Sequence, residues 1–163
     1  DRDLFQLVDD KRKVNVVYLA KGITNHDHVD IKWIADKYDI PGERYALFAM
    51  IRGDASDGLP GIRGIGEKGA AVIAKHFTSM EDVMSAALSD DERLTPNLRK
   101  KLIESREYAK IAPKLVHCAL DVPLPNLDLK MPTKPDSLDE IYQYQRDYGL
   151  GASVDRLIAA LGW

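Results

Sequence analysis

Residues 52–71, "RGDASDGLPGIRGIGEKGAA", place two carboxylates, Asp54 and Asp57, directly ahead of a run of glycines: Gly58, Gly61, Gly64, Gly66 and Gly69. Aspartates three apart on a helical turn point the same way, so this pair can converge on one point. Carboxylate oxygens without His or Cys select a hard cation, Mg²⁺ or Mn²⁺, over zinc. The glycines read differently. Gly64 and Gly66 permit positive φ and leave no side chain between backbone and ligand, while Ile65 between them plugs into a core. The free N–H groups opening the next helix, 67–77, then face a phosphate, helped by the helix dipole. Lys68 adds a point charge and Lys75, on the same face, extends the contact. Gly61, Arg63 and Gly69 complete the candidate grip. It needs no base-reading side chain, so binding should follow the phosphate backbone and ignore sequence. A P-loop is excluded, because "GIGEKGA" lacks the Gly-Lys-Ser/Thr ending.

Upstream, "ERYALFAMIRG" (43–53) is apolar almost all round from Tyr45 to Ile51. Such a helix is buried, so it anchors the acidic loop that follows. Further back, Ile31, Ile34, Ala35 and Tyr38 form one helical stripe ending at Ile40-Pro41-Gly42. "VNVVYLAKG" (14–22) reads as a strand closed by Gly22, and residues 3–9 as a short helix with Asp1 or Asp3 near its start. Downstream, Ala70, Ile73, Ala74 and Phe77 share a face of the 66–77 helix. Further helices are expected over 80–88, 96–104, 106–119, 137–148 and 153–161, with a Pro-rich connector at 121–136. The predicted architecture is mainly α, with a short strand or sheet edge at the N-terminus.

Composition agrees with a globular chain. The 163 residues are 45% hydrophobic and 30% charged, with one cysteine and a net charge of −3. No apolar run reaches bilayer length and no signal peptide is evident, and the lone Cys118 fits a reducing cytoplasm. The acidic balance excludes a wholly basic nucleic-acid binder, leaving local charge to decide. The chain opens mid-pattern at "DRDLFQLV", which leads us to expect the C-terminal part of a longer protein.

Asp1 and Asp3 form a second acidic pair. Alone, it reads as a helix cap plus a solvated acid. Together with Asp54 and Asp57 it gives four carboxylates that repel one another unless a cation neutralises them. Two divalent ions roughly 4 Å apart are a standard device for phosphodiester hydrolysis. Other features read more plainly. His26 and His28 have metal-pair spacing but fall in a solvated loop, with Asp27 or Asp30 capping the next helix. His117 and Cys118 are read as packing residues of a helix. Arg99, Lys100, Lys101 and Arg106 in "LRKKLIESR" form either a solvated face or a second phosphate patch. Trp33 lies opposite the Ile31/Ile34/Tyr38 stripe and packs on the hairpin strand or on a missing segment.

"DRDLFQLV" and "GDASDGLPGIRGIGEKGA" together closely resemble the bacterial 5′-nuclease family. It includes the 5′→3′ exonuclease domain of DNA polymerase I, stand-alone exonucleases and flap endonucleases. The likeness runs to the tail, "DVPLPNLDL" and two short helices. It implies the C-terminal half of a PIN-like α/β nuclease. Residues 1–25 would be a remnant of the catalytic core, and 26–163 a helical, SAM-like domain with a helix-hairpin-helix over about 53–77. It implies a metal-dependent phosphodiesterase acting near the 5′ ends of branched DNA, including RNA–DNA primer junctions, in a cytoplasmic, nucleoid-associated enzyme. Asp1, Asp3, Asp54 and Asp57 would be metal carboxylates, and the hairpin from Gly61 to Ala70 would hold the downstream duplex. In some relatives that hairpin also takes a monovalent cation such as K⁺ through backbone carbonyls. The family's first half, with further acidic ligands and a helical arch, has no counterpart here. Gly69 stands where the family often has Thr, a change expected to loosen the helix start. Two other readings remain open: a non-catalytic duplex-binding module, and a protein–protein adaptor, which would have no use for four convergent aspartates.

Overall fold

A computed structural model describes residues 1–130 and 133–163; residues 131 and 132 of the expected connector lie outside the described residues. The chain divides into two compact units, Asp1–Leu120 and Asp121–Trp163.

The first unit is built on aromatic residues. A 3₁₀ turn, Arg2–Leu7, buries Phe5 completely. Its ring meets those of Tyr18, Trp33 and Tyr45 at 5.1, 5.4 and 5.2 Å, edge-on or tilted, as ring quadrupoles favour. Tyr38 continues the cluster onto Tyr45 and Phe48. Within this chain Trp33 packs on Phe5 and Tyr38.

The expected strand is shorter than 14–22. Strand β1 covers Val16–Tyr18 and pairs antiparallel with β2, Asp27–Val29, in the register Val16↔Val29 and Tyr18↔Asp27. An isolated bridge between Asp9 and Val14 and a turn from Leu19 to Gly22 limit it at either side. The sequence reading treated 26–30 as a loop. His28 instead sits in β2, and His26 and His28 bring their Nε2 atoms to 3.0 Å, a hydrogen bond between rings. The β1–β2 pairing bridges residue 25, and Phe5 packs with Trp33 and Tyr45, so Phe5 and Val8 share one core with residues beyond 25.

Helix α1, Ile31–Tyr38, is capped by Asp30, whose carboxylate accepts from the Trp33 amide. Helix α2, Tyr45–Arg52, buries Tyr45 and all of Leu47–Ile51. Helix α3, Glu67–His76, buries Ala70, Ala71, Ile73 and Ala74 against it, with Phe77 closing the same face. Helices α4, Met80–Leu88, and α5, Pro96–Glu104, begin at Ser79 and Thr95 caps, with Pro96 in the first turn of α5. Helix α6 covers Arg106–Val116, shorter than the expected 106–119. The chain leaves the helix at His117, and the Cys118 amide donates to Gln6 Oε1 at 3.0 Å. Cys118 is thus partly buried beyond the helix, not inside it. Gln6 also donates to the Val116 carbonyl, which fixes the Asp1–Asp3 segment to the end of α6.

In the second unit, α7, Leu138–Asp147, is capped by Ser137, and α8, Ala152–Leu161, follows Gly149 and Gly151, both at positive φ. Among the described residues no helix is long and apolar enough to cross a membrane.

Candidate functional site

The acidic loop is closed onto the end of α2 by backbone alone. Asp54 and Leu59 exchange N–H···O bonds of 2.9 Å in both directions, and the Ile62 amide donates to the Ile51 carbonyl at 2.8 Å. The strands cross at two glycines. A Cβ on Gly53 would lie 2.6 Å from the Gly61 nitrogen, and one on Gly61 would lie 2.6 Å from the Arg52 carbonyl oxygen. Both have positive φ, +76° and +67°. Asp54 therefore leaves a buried helix and the hairpin returns to the same helix end, so the acids and the hairpin form one rigid piece.

One expectation about the hairpin glycines needs correction. Gly64 has φ +78°, but Gly66 is extended at φ −88°, ψ −170°, with open space where a Cβ would go. At Gly69, whatever its effect on the helix start, a Cβ would come 2.8 Å from Ile65 Cγ2, so the glycine admits Ile65 to the core. Ile65 is buried as expected, and Ile62, which the sequence reading passed over, is buried beside it.

Gly66 precedes α3 without any side-chain cap, which leaves the first amides of α3 without intrahelical partners. Lys68 and Arg63 are exposed there. The Lys75 ammonium pairs with Asp39 at the end of α1.

Asp54 is the most constrained acid. Its Oδ1 accepts from the Ser56 amide at 3.0 Å and from the Ser56 hydroxyl, capping a 3₁₀ turn, Ala55–Asp57. Its Oδ2 lies 2.7 Å from Arg2 and 3.7 Å from Arg52. Arg52 in turn covers the Phe48 ring. The Ser56 hydroxyl bond is the main cause that holds the Asp54 carboxyl below the ordinary carboxylate range. Partial burial opposes the shift, while the Ser56 amide, Arg2 and Arg52 add to it. A depressed carboxylate contributes stability that is complete above its unfolded pKa of about 3.9 and is lost as pH falls through the lower folded value. Ser56→Ala is expected to raise the Asp54 pKa towards the ordinary range, read by carboxyl-carbon NMR titration; an unchanged titration would discount the Ser56 bond.

The two acidic pairs are joined, though not as sequence spacing suggests. Arg2, between Asp1 and Asp3, reaches Asp54 across the fold. A shallow pocket of about 390 Å³ is lined there by Arg2, Arg52, Gly53, Asp54, Ala55, Ser56 and Glu67. Asp1 caps its own turn by accepting from the Asp3 amide, and Asp57 is exposed at the end of its turn. Among the described residues no three His, Cys, Asp or Glu side chains come together as an ion site. The donor set suits a hard cation in kind, but its arrangement in this chain does not complete one, because guanidinium groups already face Asp54. Arg2, Arg52, Ser56 and Glu67 were all missed at the sequence level. A larger cavity of about 680 Å³ among α4, α5 and α6, lined by Met84, Leu88, Ile103 and Pro113, shares no residue with this pocket.

Residues 40–143, which contain the acidic loop, the hairpin and α2 to α6, match the family described as 5′-3′ exonuclease, C-terminal SAM fold. The chain belongs to this family. It is 43% identical to a 5′-3′ exonuclease of Streptomyces coelicolor over 99% of this chain and 54% of that protein. To a 5′-3′ exonuclease of Mycobacterium tuberculosis it is 35% identical, over 99% of this chain and 53% of the relative. A DNA polymerase I of Bacillus subtilis is 29% identical over 96% of this chain and 17% of its own length. The chain thus spans about half the length of the two exonucleases. The mainly helical fold with a two-stranded sheet agrees with the expected class.

Proposed function

We propose that this chain is the duplex-gripping part of a 5′→3′ exonuclease or flap endonuclease, which hydrolyses DNA phosphodiesters near the 5′ ends of branched duplexes or RNA–DNA primer junctions. The observation that carries the reading is the backbone closure of 53–62 onto α2, which fixes Asp54 at a set distance from the hairpin. Within it, the amides at the start of α3 hold a phosphate of the downstream strand, Lys68 and Arg63 supply charge, and Gly61, Gly64, Ile65, Gly66 and Gly69 shape the turn. Lys75 belongs to the same grip, exchanging its exposed pairing with Asp39 for a phosphate. Asp1, Asp3, Asp54 and Asp57 are the carboxylates offered to Mg²⁺ or Mn²⁺, with the remaining ligands supplied by residues outside this chain. K⁺ at hairpin carbonyls, and a cytoplasmic, nucleoid-associated setting, belong to the same reading.

A non-catalytic duplex-binding module is the second reading, favoured by the two arginines on Asp54. Both readings make the 163-residue chain a weak, salt-sensitive duplex binder that does not cleave. Binding to a 5′-flap duplex in EDTA should fall linearly with salt on a log–log scale, and Lys68→Met should lower the slope by about one. Salt-independent binding, or robust flap cleavage by this chain, would count against both.

A further inference from the structure

The outer turn of the hairpin is tied to α5 by two side chains the grip itself does not require. Lys101 Nζ donates to the Gly64 carbonyl at 2.7 Å, and the Arg63 amide donates to Ser105 Oγ at 3.2 Å. Four residues apart, at and just beyond the last turn of α5, these side chains meet consecutive residues of the turn. The stem of Lys101 also lies over Gly64, where a Cβ would come 3.3 Å from Cε and 3.6 Å from Nζ. Glycine suits position 64 chiefly by its positive φ of +78°, and the contact with the Lys101 stem is close but falls on a flexible side chain. In the cationic run 99–106 the other members meet acids: Arg99 pairs with Asp90, Lys100 with Glu104 and Arg106 with Glu107. Lys101 has the hairpin backbone as its partner.

We propose that Lys101 and Ser105 are positioning residues of the hairpin, fixing the Arg63–Gly64 backbone before a duplex arrives. The inference rests on reading the hairpin as the DNA grip. A preset turn leaves less disorder to remove on binding, so affinity rises without an added phosphate contact.

The test uses the 163-residue chain and a fluorescent 5′-flap duplex, with anisotropy across a KCl series. Lys101→Met should weaken binding roughly 3–10-fold at every salt concentration with the log–log slope unchanged, and Ser105→Ala roughly 2–5-fold, the worth of one hydrogen bond each. Lys101→Arg, which can still donate to the carbonyl, should restore binding. Thermal midpoints should fall by no more than about 5 °C, the shift one lost hydrogen bond produces, and the Arg63 amide should exchange faster in Ser105→Ala. Parent-like affinity in Lys101→Met overturns the positioning role alone. A slope reduced by about one overturns it too, making Lys101 a phosphate ligand. If the parent chain binds no duplex, the grip itself falls.

Discussion

Gly61→Ala is expected to destabilise the first unit by about 3–5 kcal/mol, a fall in thermal midpoint of roughly 10–20 °C. Two costs add. Holding alanine at φ +67° costs roughly 1–2 kcal/mol. The new methyl also meets the Arg52 carbonyl oxygen at 2.6 Å, the Arg52 carbonyl carbon at 2.7 Å and the Gly53 nitrogen at 2.7 Å. Those atoms are backbone at the end of α2, whose residues Leu47–Ile51 are all buried, so they cannot yield as a side-chain tip would. Gly53→Ala meets the mirror-image clash and should behave alike. Two neighbours calibrate the result. Gly58 has φ +70° and open space, so Gly58→Ala should cost only the backbone term of about 1–2 kcal/mol. Gly66 is extended and open, so Gly66→Ala should stay within about 0.5 kcal/mol. Urea unfolding of the four variants checks the order; equal costs at Gly61 and Gly58 would remove the close-approach argument.

That order shows where sequence stops being legible. Periodicity and caps are local, so α1 to α5 were placed nearly to the residue, and the burial of α2 followed from its all-round apolar surface. The short partner strand "DHV" was invisible because three residues with one buried side chain carry no pattern to count. Which glycine needs its missing Cβ depends on which strands cross. Spacing drew attention to Gly64 and Gly66, whereas the fold places the tightest contacts at Gly53 and Gly61. The same limit applies to charge. Asp54 and Asp57 stand out by proximity in sequence, but besides the neighbouring Ser56 the Asp54 carboxylate is paired with Arg2, fifty-two residues away. The packing of Phe5 under α1 and α2, with Gln6 bonded to the end of α6, brings that arginine into reach.

In a protein that contains this chain together with the rest of the nuclease, Asp57→Ala and Asp54→Ala are each expected to lower Mg²⁺-dependent cleavage roughly 100-fold or more, the scale of losing one aimed charge at a reacting centre. Duplex binding in Ca²⁺ or EDTA should survive, because the hairpin amides and Lys68 are untouched. The two variants differ in what else they disturb. Asp54 is almost enclosed, accepts two bonds from Ser56 and faces two arginines. Its removal leaves Arg2 and Arg52 unpaired and should cost about 1–3 kcal/mol of stability as well. Asp57 is exposed, and the bond its residue makes to Asp54 is backbone to backbone, which alanine retains. Asp57→Ala should therefore leave the thermal midpoint within about 1 °C of the parent, as surface changes do. A large loss of cleavage in that variant cannot be assigned to unfolding, and it would assign Asp57 to the reaction. Asp54→Asn separates the remaining terms, since the amide oxygen can still accept from Ser56 while the charge facing Arg2 is gone. Parent-like cleavage in both Asp57→Ala and Asp54→Asn would sink the nuclease role of this loop. The non-catalytic reading would then stand, with Arg2 and Arg52 as the purpose of Asp54.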